Sequence, residues 1–101
     1  RMREGEVYAR GNQWLKAIEK WNEFYTREKK MLNRAKAAHN IALAYEMLDE
    51  MESAYEWATV ANDLFRQSTS PSSLERRRSA LFKKEIERRR DASRKLNMQI
   101  Q

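Results

Sequence analysis

The chain has no cysteine, one proline, two glycines and one histidine in 101 residues. The missing cysteine excludes disulfides and thiol chemistry but leaves the compartment open, cytoplasm or bacterial periplasm and envelope alike. Scarce glycine and proline leave few enforced turns. Val, Ile and Thr are sparse and no window alternates apolar with polar residues, so strand signals are nearly absent. No apolar run approaches the ~20 residues that span a bilayer, and no secretory leader is visible. Membrane insertion is therefore not expected. The lone His39 has no cysteine, second histidine or spaced carboxylate with which to hold a metal. There is no glycine-rich phosphate loop and no nucleophile elbow. No catalytic residue, metal site or cofactor is expected, and the chain is not expected to be an enzyme.

Charge is present in quantity: 36% of residues are charged and the net charge is +6. Residues 1–73 hold eleven basic and eleven acidic side chains, and residues 74–101 hold ten and four, so the whole excess sits in the last segment. The composition is that of a mostly helical chain of one domain.

The chain is organised around residues 35–65. Ala38, Ile41, Ala42, Tyr45 and Leu48 form one stripe, and after a break at Asp49–Glu50, Met51, Ala54, Tyr55, Ala58, Ala61 and Phe65 form a second. The short break makes these two helices antiparallel neighbours, with alanines allowing close approach. Trp57, Val60 and Leu64 form a further apolar row that needs cover from outside the hairpin. Upstream, Trp14, Ala17, Ile18, Trp21, Phe24 and Tyr25 mark an amphipathic helix over 13–28, read as core. Gly11 is expected to end the preceding helix with a positive φ, and Asn12 to cap the next. The turn between units must lie within 27–34. Gly5, Tyr8, Trp14, Ala17 and Trp21 recur as Ala42, Tyr45, Met51, Ala54 and Ala58, always 37 residues on, which is the mark of two copies of one helix–turn–helix unit.

On these residues the chain, over roughly 1–66, resembles the tetratricopeptide-repeat (TPR) superfamily, whose helix pairs carry small and aromatic residues at such positions. It departs from the pattern at Asp49, where Gly or Asn is usual, at Ala58, where an aromatic is usual, and at Arg66, where Pro is usual. Its spacing also exceeds the family's 34 residues by three. Residues 38–65 are also similar, more weakly, to repeat segments of uncharacterised bacterial envelope lipoproteins. The resemblance implies an all-α fold: antiparallel helix–turn–helix repeats stacked as a short TPR-like solenoid with a charged C-terminal capping helix. The expected divisions are a partial first repeat over 1–30, a second over 31–67, a loop over 68–73, a basic capping helix over 74–97 and a frayed tail over 98–101. A chain that opens inside a repeat reads as a fragment of a longer protein.

The resemblance also implies a groove lined by Lys36, His39, Leu43, Glu46 and Met47, taking a peptide or helix from a protein partner. The family's carboxylate clamp does not carry over, because His39 and Leu43 stand at its positions. Two alternatives remain. One is a structural assembly or homo-oligomerisation module of a larger bacterial protein. The other is polyanion or acidic-partner binding through the basic segment.

In that segment Ser72 and Glu75 fit a capping box, and either Ser72 or Ser73 can cap the helix that follows. Leu74, Leu81, Phe82, Ile86, Ala92 and Leu96 fall in one arc that would cover Trp57, Val60 and Leu64, with Arg78, Glu85 and Arg89 intruding and Glu85–Arg89 pairing. The basic face comprises Arg76, Arg77, Lys83, Lys84, Arg88, Arg90, Arg94 and Lys95. Nucleic acid is disfavoured as its partner, since only Phe82 interleaves the charges and the interspersed acids repel phosphate.

Overall fold

The computed structural model describes residues 2–100; Arg1 and Gln101, the ends of the sequence-based divisions above, lie outside the described residues. The described chain is all-helical: α1 (Met2–Arg10), α2 (Trp14–Arg27), α3 (Met31–Met47), α4 (Met51–Ser68) and α5 (Leu74–Ile100). Each helix packs chiefly on its neighbours in sequence, and the closest packing joins α3 to α4. The result is a slab of 44 × 33 × 20 Å.

The 37-residue spacing reappears in backbone geometry. α1 ends at Arg10 and α3 at Met47; α2 begins at Trp14 and α4 at Met51. In the first turn the Gln13 N–H donates to Tyr8 O, and in the second the Glu50 N–H donates to Tyr45 O, both at 2.9 Å. Asn12 (φ 60°) and Asp49 (φ 58°) both sit in the left-handed region. Gly11 does not take a positive φ, so the expected assignments shift by one residue. Asn12 makes the left-handed turn that Asn and Asp tolerate, and Gln13 stands at the N-cap position.

Small residues let the helices close up. Ala17, Ile18, Trp21, Ile41 and Ala44 bury the seam of α1–α3. Ala35, Ala38, Ala61 and Phe65 bury the far end of the α3–α4 pair, with Tyr25, Leu32, Trp57, Val60 and Leu64 against them. The Tyr25 and Trp57 rings meet edge to face at 5.1 Å. The row Trp57–Val60–Leu64 is thus grouped with α2 and α3 residues, not with α5 as expected. The connection from α2 to α3 is residues 28–30, where the Glu28 carboxylate accepts the N–H groups of Lys29 and Lys30 at 3.0 Å each. Those bonds, the one from Lys30 foremost, hold its carboxyl below the ordinary range.

α5 runs antiparallel to α4. Arg76 donates to the Arg66 carbonyl at one end, and Arg94 holds Glu52 at the other. Its cap is Ser73, one of the two serines expected to serve, whose Oγ accepts the Arg76 N–H at 3.1 Å. Ser79, Phe82 and Ile86 form its buried stripe, while Leu74, Leu81 and Leu96 stay exposed. The expected apolar arc therefore survives only at Phe82 and Ile86, which pack with Met51 and Ala54 of α4. α5 continues as helix through residues 97–100, where a frayed end was expected.

Candidate functional site

α3 presents three faces. Ala37, Ile41 and Ala44 are buried, as are Ala38 and Ala42. The third stripe, Lys36, Asn40, Leu43 and Met47, follows i, i+4, i+7, i+11 and faces a cleft of about 660 Å³. Its opposite wall is α1, through Met2, Glu6, Ala9 and Arg10, and Trp14 and Trp21 of α2 contribute indoles. Met47 is 59% exposed, so the cleft opens to solvent. The lining is mostly apolar, with ionic groups at Glu6, Arg10, Lys36 and Glu46.

Of the five residues expected in a groove, the structure brings Lys36, Leu43, Glu46 and Met47 into this cleft. Glu46 sits on its α5 edge, where Arg89 holds it in an ion pair. That pair replaces the expected Glu85–Arg89 contact; Glu85 binds Arg88 instead, at 2.6 Å. His39 does not line the cleft. It lies one step round the helix, with its ring against Phe82 of α5 at 4.9 Å. Asn40, outside the expected groove set, joins them at the i+4 spacing after Lys36. Trp14 and Trp21, expected as core, also line the cleft: Trp21 is 4% exposed, yet its edge forms part of the wall.

The eight residues of the expected basic face divide. Arg90 stacks on Tyr55 at 4.1 Å, with Lys83 6.0 Å from the same ring. Arg94 binds Glu52, whose carboxyl is held below the ordinary range mainly by that hydrogen bond. Arg76 donates to a carbonyl of α4. Arg77, Lys84, Arg88 and Lys95 are exposed on α5.

The cleft is equipped for contact. Among the described residues no group of three or more His, Cys, Asp or Glu side chains could hold a metal ion, and no helix is long and apolar enough to cross a membrane. Asn40 supplies a two-way hydrogen-bonding group beside Leu43 and Met47, a combination suited to a peptide backbone flanked by apolar side chains.

His39 gives a pH prediction. Burial lowers its pKa below the ordinary 6.5, and its Nδ1 is enclosed without a hydrogen-bond partner. The folded state therefore resists protonation. Stability is full above the unfolded pKa near 6.5 and declines as pH falls from there through the folded value. The lowered carboxylates lose their contribution only below about 4.5, so the interval between 6.5 and 5 isolates His39. Denaturation midpoints should fall across that interval in the native chain and stay level in His39→Gln.

Residues 3–88 match the family model described as a domain of unknown function, DUF6340, and the chain belongs to that family. No curated protein and no solved structure matches it.

Proposed function

We propose that this domain is a non-enzymatic protein–protein interaction module: a short TPR-like stack whose cleft takes a peptide or helix from a partner protein. The observation that carries this reading is the duplicated turn, with matching helix ends, hydrogen bonds and left-handed residues at 12 and 49. Repetition of one helix pair sets the first helix of each pair, α1 and α3, side by side along one surface. That surface is where the cleft lies. In this reading α5 is the charged cap that closes the stack over Met51 and Ala54.

The test is affinity capture with this chain, wild type against Leu43→Glu/Met47→Glu. Both positions line the cleft and neither is fully buried. The expected result is a partner set lost in the variant, with helical circular dichroism unchanged. A partner set identical in both would overturn the cleft assignment.

A further inference from the structure

α5 sorts its cations onto two faces. Those turned toward the body are committed: Arg89 to Glu46, Arg94 to Glu52, Arg90 to Tyr55 and Asp91. Arg77, Lys84, Arg88 and Lys95 point the other way. At 100° per residue they fall within an arc of about 40°, and at 1.5 Å per residue they span roughly 27 Å. All four are exposed. Arg77, Lys84 and Lys95 have no hydrogen-bond or ion-pair partner among the described residues. Arg88 is held only by its neighbour Glu85. Beside this row run Leu74 and Leu81, seven residues apart and 55% and 68% exposed.

Each feature costs the isolated domain something. Lys84 and Arg88 are like charges at i, i+4. Arg77 lies near the positive end of the helix dipole. Two leucines a helical heptad apart face water. Only Arg88 has a compensating contact on α5, its pair with Glu85. The acids nearby are not on the row: Asp91 is bound to Arg90 and Glu85 to Arg88, both at its margins.

We propose that this ridge docks an acidic amphipathic helix of a partner protein. The partner's apolar residues would seat on Leu74 and Leu81, as in other helix–helix contacts at heptad spacing. Its carboxylates would meet Arg77, Lys84, Arg88 and Lys95, which are placed 7, 4 and 7 residues apart. A nucleic-acid backbone fits less well, because the ridge offers no exposed aromatic for base stacking. An anionic bilayer would accept the leucines but would not require a spaced row of carboxylates. The ridge shares no residue with the cleft, so this inference does not depend on the cleft's role.

The experiment uses the domain as it stands and four probes. They are a synthetic helical peptide with Leu at i, i+7 and Glu beside them, the same peptide with Gln for Glu, and two polyanions: a single-stranded oligonucleotide and phosphatidylserine vesicles. Fluorescence anisotropy at 50 and 300 mM salt reads binding. The expected result is at least tenfold tighter binding of the Glu peptide than of the Gln peptide. Lys84→Glu/Lys95→Glu should lose tenfold or more and Leu81→Ser severalfold, with unchanged helical signal. Should the double charge reversal melt early, Arg77→Gln/Lys84→Gln replaces it, with a smaller loss of the same sign expected. Equal binding of the two peptides, tighter binding of oligonucleotide or vesicles, or indifference to these substitutions would each overturn the proposal.

Discussion

Trp21→Ala is expected to cost about 3–5 kcal/mol, the range for a large buried aromatic truncated where the surroundings cannot collapse. The indole is 4% exposed and lies among Ala17, Ile18, Ile41 and Ala44, so it joins α1, α2 and α3 at once. Its Nε1 also donates to the Met2 carbonyl at 3.0 Å. A domain of this size has roughly 5–15 kcal/mol in total, so the variant should be partly unfolded at ambient temperature. Gly5 explains why the indole fits. A Cβ built there would lie 2.2 Å from Trp21 Nε1 and 2.4 Å from Cδ1. Gly5→Ala should therefore cost about 1–3 kcal/mol by overpacking, although alanine is the better helix former. The two changes should not add: in the double variant the new methyl enters the space the indole has left. Urea denaturation of both singles and the double gives the coupling. A sum additive within about 0.5 kcal/mol would mean that glycine and indole do not meet.

The same pair shows how the repeat was legible. Gly5 and Trp21 correspond, 37 residues on, to Ala42 and Ala58, all four buried. In the first unit the glycine admits the indole, and in the second both positions are buried alanines. Spacing alone was enough to find this, because close approach demands small residues at fixed positions. The turn residues were less legible. Gly11 is the stronger sequence signal for a left-handed conformation, but the polar residues after it, Asn12 and Asp49, take that role in both units. The series also runs further than the repeat: Ser79 and Phe82 stand 37 residues after Ala42 and Tyr45. No turn follows them, and Leu81 is 68% exposed where Ala44 is fully buried. α5 is rotated relative to what its spacing suggests. A helical wheel ranks residues by polarity, so it placed Leu74, Leu81 and Leu96 inward. The surface that receives α5 takes Ser79, Phe82 and Ile86 instead.

The cleft was half legible for a related reason. Residues on α3 could be assigned from its period, but the opposite wall comes from α1 and α2, whose distance from α3 is set by Gly5 and the alanines. His39 was placed in the groove because 100° steps put it near Lys36 and Leu43. Arrival of Phe82 from α5 encloses it instead.

Ile86→Ala should release α5 before the other helices melt. α5 packs chiefly on α4, and Ile86, fully buried against Met51 and Ala54, is the largest apolar side chain enclosed at that seam. Ser79 Oγ on α5 and Asn62 Nδ2 on α4 are buried without partners, which weakens the α5 seam on one side and leaves an unmet polar group on α4 on the other. The ion pair Arg94–Glu52 is solvent-exposed and contributes little. Losing Ile86 should cost about 2–5 kcal/mol, more than these contacts can replace, and a detached helix is only marginally stable in water. Amide exchange is the decisive measurement. Protection over residues 74–100 should fall toward that of an isolated helix while α2, α3 and α4 keep theirs. Ser79→Ala should act in the opposite direction, raising protection of α5 by about 1 kcal/mol, because it removes the unmet hydroxyl from a space that a methyl fills. Uniform loss across all five helices in Ile86→Ala would mean that α5 belongs to the same cooperative unit as the other four helices.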